Sequence, residues 1–408
     1  MANDALLNAK KQKNDEFYTL YEYIQKEVNA YLEYNPDTFK GKVVLCPCDD
    51  PEWSNFTKFF AQNFKKLGLK KLISTSYSME AKKAKYEQYH QLTIFETMFP
   101  QYDEEKSRTR GKIFTLTKDT NKSGKIDYDD LEWEYLEGDG DFRSDEVKKL
   151  RDEADIIVTN PPFSLFREFV AWVLEVGKKC LLIGQIGMAT YKEIFPEIQA
   201  TRLWVGVTGN DEDMVFEVPE GAEVNPKDRE KAARMGYVGN YTRQGNACWF
   251  TNLDHGRRHA PLQLMTMAEN LKYSKHKDLL QNGYLSYFNY EGIDVPHVDS
   301  IPSDYDGVMG VPTSFLSKFN PEQFEIVDNG AYAPKTLDHI AYKSKNIICY
   351  EKDGIAVWTT PYTVSERKAG NGLRLNESGL PGGLPYGRIL IRARRTKNED
   401  NVENRNHS

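Results

Sequence analysis

The stretch Asp155-Ile156-Ile157-Val158-Thr159-Asn160-Pro161-Pro162-Phe163-Ser164 constrains this chain more than any other. Ile156 to Val158 is an apolar, β-branched run that reads as a buried strand. Two consecutive prolines cannot donate to a sheet ladder, so the strand ends near Asn160 and the chain turns there. In an open α/β sheet, ligands bind in the crevice outside the carboxyl ends of the strands. The turn therefore sets a side-chain amide, a conformationally fixed carbonyl and an aromatic ring side by side at such an edge.

Those three groups suit one chemical problem. The exocyclic amine of adenine is a poor nucleophile because its lone pair is delocalised into the ring. Two acceptors on its N–H bonds, the Asn160 side-chain oxygen and the Pro161 carbonyl, would draw the nitrogen toward tetrahedral geometry and release that lone pair. Pro161 and Pro162 fix the direction of the acceptor, and Phe163 would stack on the base. A paired base cannot present its amine, so the base would have to leave the duplex first. A plain turn after a strand accounts for the same residues without chemistry, since Asn and Pro both favour turns.

The segments upstream supply context. Tyr18, Tyr21, Ile24, Val28 and Tyr31 recur at helical spacing after Asn14-Asp15-Glu16-Phe17 and predict a helix over one end of a sheet. Lys42 to Cys46 reads as a strand, Pro47-Cys48-Asp49-Asp50-Pro51 as its exit turn, Ser54-Asn55-Phe56 as a helix start, and Leu72 to Ser76 as the next strand. No glycine stands between Gly41 and Gly68, so the turn is not built to cradle a pyrophosphate. A ligand with a cationic amino-acid portion would instead favour the carboxylates of Asp49 and Asp50, and S-adenosylmethionine is such a ligand. Capping of the next helix is the competing role for these aspartates. In Gly138-Asp139-Gly140-Asp141-Phe142-Arg143-Ser144, Asp141 could accept from the adenine amine of that cofactor, with Phe142 beside its ring. A flexible Gly-Asp turn explains the glycines but not Phe142.

Between these segments, Asp119-x-Asn121-x-Ser123-Gly124-x-x-Asp127-x-x-Asp130 matches much of a calcium loop. Its flanks alternate like strands, so a hairpin over about residues 108–137, inserted into the domain, is the preferred reading and no metal is expected. Downstream, Leu165 to Leu174 predicts a helix, Cys180 to Ile186 a strand, Tyr191 to Ile198 a helix and Arg202 to Val207 a strand. Ala247 to Leu253 predicts an antiparallel partner of the last of these. The strand–helix alternation stops near Asp254, which divides the chain into residues 1–255 and 256–408.

Charge and composition narrow the class further. The net charge of −7 excludes a generic basic nucleic-acid coat. Residues 256–408 nevertheless carry 19 Lys and Arg against 18 Asp and Glu, so the acidity belongs to the front of the chain. Arg388, Arg392, Arg394, Arg395 and Lys397 cluster near the end, as a DNA-facing patch or as a solvated tail. Tyr284, Tyr287, Phe288 and Tyr290 add aromatic rings to a region that could read DNA or simply pack. The five cysteines are most simply free thiols of a reducing compartment. No run of 18 apolar residues is present, so no membrane span is expected. The polar amino terminus reads as a cytoplasmic start.

With these residues in view, the chain resembles the EcoRI-type adenine-specific DNA methyltransferases. The resemblance is carried by Asp15 to Thr19, Cys48 to Pro51, Gly138 to Ser144, Asp155 to Arg167, Thr190 to Glu193, Thr251 to Asp254, Asp306 to Pro312, Lys318 to Glu325 and Arg388 to Ile391. It implies methyl transfer from S-adenosylmethionine to adenine N6 in double-stranded DNA, by a monomer. The partner would be a restriction endonuclease acting on the same site without a stable complex. It implies a Rossmann-like α/β sheet with helices on both faces, followed by an irregular α+β target-recognition region. The site so implied has Asn160, Pro161, Pro162 and Phe163 as catalytic residues, with Tyr18, Thr19, Cys46, Cys48, Asp49, Asp141, Phe142 and Asn160 around the cofactor. Residues 208–246 and 330–385 depart from the family's usual form, so no target sequence carries over. Transfer to another planar amine, cytosine N4 or an RNA adenine, and a DNA-binding protein with a decayed cofactor site are the competing readings.

Overall fold

The computed structural model describes residues 18–51, 54–78, 101–209, 213–218, 224–287, 290–330, 350–352, 355–359, 364–367 and 387–394. The readings made of residues 14–17, Phe288, Arg395 and Lys397, and most of 330–385, lie outside the described residues. By internal contacts the chain divides into two compact units, one drawn from residues 1–186 and 203–256, the other from 187–202 and 257–408.

In the first unit, Tyr18–Thr19 (β1) leads into the helix Tyr21–Tyr34 (α1). Val43–Cys46 (β2), the helix Asn55–Gln62 (α2), Lys71–Ser76 (β3), Lys112–Leu116 (β4) and Glu132–Tyr135 (β5) follow. Asp145–Glu153 (α3) precedes Ile156–Thr159 (β6), and Phe166–Leu174 (α4) separates that strand from Lys179–Gln185 (β7). Trp204–Val205 (β8), Met214–Glu217 (β9), Tyr241–Gln244 (β10) and Ala247–Thr251 (β11) come last.

Eight of these strands form one sheet in the order β5-β4-β3-β2-β6-β7-β11-β8. The inner strands β3, β2, β6 and β7 are parallel, with Val44 beside Ile156 and Leu45 beside Ile157. The chain passes from β2 to β3 on one side and reaches β6, on the other side of β2, only later. Strand order therefore reverses between β2 and β6, and the loops leaving their carboxyl ends diverge around a crevice.

Both faces of the inner strands are covered. Val44, Cys46, Ile156, Val158, Leu181 and Ile183 join Ile24, Val28 and Tyr31 of α1 and Phe56 and Phe60 of α2 in one core. On the other face Phe166 of α4 meets Phe250 at 5.2 Å between ring centroids. Gly184 is required there, because a Cβ would stand 2.8 Å from the Phe166 ring. Burial on two faces is why these strands read as unbroken apolar runs rather than as alternating ones. The result is the mixed α/β sheet with flanking helices expected of a methyltransferase.

Several local expectations are corrected. Tyr18 lies in a strand paired with Glu217 of β9, not in the helix. The strands of the 108–137 hairpin are paired as expected, but β4 also pairs with β3, so the segment extends the main sheet rather than interrupting it. The calcium-like carboxylates are spent on backbone: Asp119 accepts from Ser123 N and Gly124 N, and Asp130 from Thr120 N, Asn121 N and Asp127 N. The helix expected over Tyr191 to Ile198 is confined to Phe195–Gln199, because Pro196 tolerates only the first turn. Strand β8 is two residues long because the Val207 N–H is taken by the buried carboxylate of Glu27 (2.8 Å) instead of a ladder partner.

In the second unit Leu285–Ser286 (β12), Ile293–Asp294 (β13), Met309–Pro312 (β14) and Phe324–Asn329 (β15) precede the three-stranded ladder Tyr350–Lys352 (β16), Ile355–Thr359 (β17) and Val364–Arg367 (β18). Arg388–Ala393 (β19) then inserts between β14 and β15, giving a five-stranded sheet in the order β12-β13-β14-β19-β15.

Candidate active site

Five chain segments converge at the carboxyl edge of the first unit's sheet. The turn after β2 is tied to the end of β6, because the Thr159 hydroxyl donates to the Pro47 carbonyl at 2.8 Å. It is tied to β3 and α2 as well: the Asp49 carbonyl accepts from Ser74 Oγ, which in turn stands 2.8 Å from Thr57 Oγ1. Cys48 takes a left-handed φ of 66°, and its thiol reaches the Tyr77 hydroxyl at 3.3 Å. On the far side, the Asn55 amide at the start of α2 donates to the Thr19 carbonyl at 2.9 Å and brings β1 to the same edge.

The loop after β5 closes the ring. Ser78 N donates to the Asp139 carbonyl at 2.8 Å, and Gly140 (φ +87°) lies so close that a Cβ would stand 2.3 Å from the Ser76 carbonyl. Only glycine permits that approach. Asp141 then receives both Nε (2.9 Å) and Nη2 (2.6 Å) of Arg143, which hold its carboxyl below the ordinary range.

Asp49 is the electrostatic centre of the edge. It is 7% exposed, and Ser54 Oγ donates to its Oδ1 at 2.8 Å. The Thr159 hydroxyl also acts on the carboxyl, and among the described residues the buried Oδ2 has no hydrogen-bond partner in range. Burial pushes the carboxyl up from 3.8 to about 7. A desolvated carboxylate with one unmatched oxygen is a receptor for a cation, since an opposite charge within hydrogen-bond reach offsets the desolvation cost. The residues present therefore fit a cofactor carrying an ammonium or sulfonium. Thr19 Oγ1, also buried without a hydrogen-bond partner, adds a second polar atom at this edge.

Asn160 follows β6 directly and is half-buried. Pro161 is buried, and Phe163 begins the short 3-10 turn Phe163–Leu165, half-covered by the core that α1 and α2 share with the sheet. Leu165 N donates to the Pro162 carbonyl at 2.9 Å, which orients the turn into α4. Amide, prolines and ring are thus delivered to the β2–β6 crevice by a strand end, not by a long loop.

Two residues expected at the cofactor are placed elsewhere. Cys46 is fully buried in the α1–α2 core, so it offers the edge backbone and not a thiol. Phe142 is 1% exposed, 5.0 Å from Phe169 and 5.5 Å from Trp172 by ring centroids; it anchors the 138–143 loop on α4. Burial pushes the Cys48 thiol up to about 12, so it is a neutral hydrogen-bonding group rather than a nucleophile. Tyr18, Thr19, Cys48, Asp49, Asp141 and Asn160 all stand on converging segments. Sequence reasoning missed Thr159, Ser74, Tyr77 and Arg143, which lock those segments together. Arg143 and Thr159 carried a signal as members of the Gly138 to Ser144 and Asp155 to Arg167 motifs, though neither was assigned a locking role. A cavity of about 540 Å³ lined by Lys42, Asp155 and Lys179 lies at the opposite, amino-terminal edge, where the strands deliver none of these groups.

Comparison with known proteins gives a consistent picture. A family described as adenine-specific methyltransferase EcoRI matches residues 5–394. Type II methyltransferase M.EcoRI of Escherichia coli is 40% identical over 326 residues, covering 80% of this chain and 89% of that protein. Type II methyltransferase M.MpnI of Mycoplasma pneumoniae is 35% identical over 331 residues, covering 81% and 87%. No solved structure matches. Among the described residues, no helix is long and apolar enough to cross a membrane.

Proposed function

The chain belongs to the adenine-specific methyltransferase EcoRI family, and on that premise we propose that it moves a methyl group from S-adenosylmethionine to the N6 amine of an adenine flipped out of double-stranded DNA. It is an adenine-specific DNA methyltransferase of the restriction-modification kind. The finer reading adds the donor, the flipped base and the roles of the residues. One observation carries it: an amide–proline–proline–aromatic turn stands at the sheet's switch point beside a buried carboxylate with one unmatched oxygen.

The cofactor, when bound, would supply an electrophilic methyl whose bond to the sulfonium sulfur breaks as the bond to N6 forms, leaving a neutral thioether and releasing one amine proton. Asp49 binds the cationic portion, and Asp141, with Tyr18 and Thr19, takes the remainder. Asn160 Oδ1 and the Pro161 carbonyl accept the two amine hydrogens of adenine, and this localises the nitrogen lone pair toward the donor. Phe163 stacks on the base and substitutes for the neighbours it leaves in the duplex. The prolines keep the carbonyl from turning away, so little reorganisation accompanies the reaction. Residues 256–408 contribute the reading of the target. The protein acts as a monomer in the cytoplasm, and a cognate endonuclease would meet it only through the shared site.

Asn160→Ala tests the reading. Loss of one preorganised polar partner should lower methyl transfer about 10³-fold, with donor binding retained within a few-fold. The products are digested to nucleosides and assayed for N6-methyladenine, and donor binding is followed by calorimetry. Unchanged transfer in Asn160→Ala would reject the mechanism, and N4-methylcytosine in place of N6-methyladenine would reject the substrate.

A further inference from the structure

The second unit contains two copies of one short pattern, His276-Lys277-Asp278 and His297-Val298-Asp299. They pair crosswise. His276 Nε2 stands 2.8 Å from Asp299 Oδ1, and His297 Nε2 stands 3.0 and 2.9 Å from the two oxygens of Asp278. The imidazoles stack face to face, with centroids 3.6 Å apart and planes inclined by 8°. Ligand atoms of His276, Asp278 and His297 all lie within 4.8 Å of one another. From this geometry we propose a binding site for one transition-metal ion of the Zn²⁺ type, with His276, His297 and Asp278 as its core and Asp299 as the fourth ligand.

The plain alternative is a pair of His–Asp ion pairs. That arrangement uses each Nε2 once, toward a single carboxylate, and leaves the convergence of the two imidazoles and Asp278 without a role. A single divalent ion in place of those ion pairs would take both Nε2 lone pairs and a carboxylate at one point. A four-coordinate ion with ligands at about 2.0–2.2 Å sets them about 3.3 Å apart; His297 Nε2 and the Asp278 oxygens stand 2.9–3.0 Å apart, and all three ligand atoms lie within 4.8 Å of one another. An imidazole takes a metal in its ring plane, so on binding the two stacked rings would tilt toward one shared ion. Two imidazole nitrogens select Zn²⁺ or its first-row neighbours over Mg²⁺ and Ca²⁺, which favour all-oxygen sites.

Both arms are held. His276 N donates to Ser274 Oγ at 3.1 Å at the start of the helix Lys277–Asn282 (α5). Next to Asp299, the buried Ser300 has its carbonyl fixed by the Tyr284 hydroxyl at 2.6 Å. Lys275 Nζ holds Asp299 Oδ2 at 2.9 Å and leaves Oδ1 for the ion. All four side chains are partly exposed, so an ion can enter without local unfolding.

The test uses the full chain, stripped with a chelator and dialysed, then titrated with CoCl₂ by visible absorption and with ZnCl₂ by calorimetry. We expect one ion per chain, protons released on binding, and a tetrahedral Co²⁺ spectrum without thiolate charge transfer. His276→Gln and His297→Gln should each weaken Zn²⁺ binding at least ~10-fold, and Asp299→Asn by less. The conservative aspartate substitution serves if a histidine variant fails to fold, as judged by circular dichroism. Absence of Zn²⁺ binding, or affinity unchanged in the folded His276→Gln/His297→Gln double variant, would overturn the proposal.

Discussion

Two aspartates, one in each unit, lie at nearly the same depth, Asp49 at 7% exposure and Asp294 at 6%. Their surroundings are opposite. Asp294, on β13, receives Nε (2.7 Å) and Nη2 (3.2 Å) of the equally buried Arg388 on β19, and the Tyr287 hydroxyl donates to it at 2.7 Å. Each of its oxygens has a donor, and the charges cancel within the sheet. Asp49 is met by hydroxyls, Ser54 Oγ at 2.8 Å and that of Thr159, and among the described residues its Oδ2 has no hydrogen-bond partner in range. The first arrangement is neutralised within the sheet; the second keeps a buried oxygen that a cationic ligand would satisfy. Burial of charge serves architecture in the second unit, and in the first it fits the binding role proposed above.

The sharpest way to break the contrast is to make Asp294 resemble Asp49. Arg388→Met leaves a carboxylate inside the five-stranded sheet without its cation, which should cost about 3–5 kcal/mol in urea unfolding. The double variant Asp294→Asn/Arg388→Met should recover most of that loss, since both charges leave together. A single-variant loss under about 1 kcal/mol would show that the pair is not the closed unit described here.

The converse change makes Asp49 indifferent to ligand. Its folded-state carboxyl sits near 7 against 3.8 ordinarily, so the fold favours the protonated form. Its contribution to stability is therefore fully present below the ordinary value and is lost as pH rises through about 7. Asp49→Asn should then stabilise the ligand-free protein at pH 8 by ~2 kcal/mol and leave its stability at about pH 4 nearly unchanged. Cofactor binding should move the other way. Wild-type affinity for S-adenosylmethionine should rise up to about 10-fold from pH 6 to pH 8 as Asp49 ionises, and Asp49→Asn should abolish that rise. Calorimetry at the two pH values separates the outcomes; equal slopes in both proteins would remove Asp49 from the cation site.

Which of these differences could be read from residues alone follows from the range of the interactions. The strands ending at Cys46 and Thr159, the turn at Asn160 and the antiparallel pairing of β8 with β11 were legible, because apolar runs and prolines act locally. The Gly138 to Ser144 loop was legible as a segment at the sheet's carboxyl edge, but the direction of Phe142 was not. An aromatic ring beside a glycine turn suits a ligand or a core equally, and only the packing of Phe169 and Trp172 decides. Cys46 failed similarly, since the strand is covered on both faces and its last residue is buried like the rest, so only the turn beyond it reaches the edge. The cross-strand locks Thr159–Pro47 and Ser74–Asp49 join residues far apart in sequence and left no periodic trace. Asp294 and Asp49 each stand at a strand end and could not be distinguished without their partners.

Asp141 supplies the intermediate case, and it sets the smallest effect. Its cation, Arg143, is two residues away and about half exposed, so the pair is bathed in solvent where the Arg388 pair is not. Arg143→Ala should therefore change stability by only about 0.5 kcal/mol at neutral pH. The sign of its pH dependence is opposite to that of Asp49. Arg143 holds the Asp141 carboxyl low, so the pair's contribution is present above the ordinary carboxylate value and is lost as pH falls through the lowered one. Wild type and Arg143→Ala should accordingly converge in urea unfolding as the pH falls past the lowered carboxyl value. If Asp141 also holds the cofactor, the same variant changes donor affinity by more than it changes stability, because the carboxylate loses its orienting fork while the loop stays anchored by Phe142 and Gly140. Equal effects on both would assign Asp141 to the loop alone and leave Asp49 as the edge's one carboxylate reserved for a ligand.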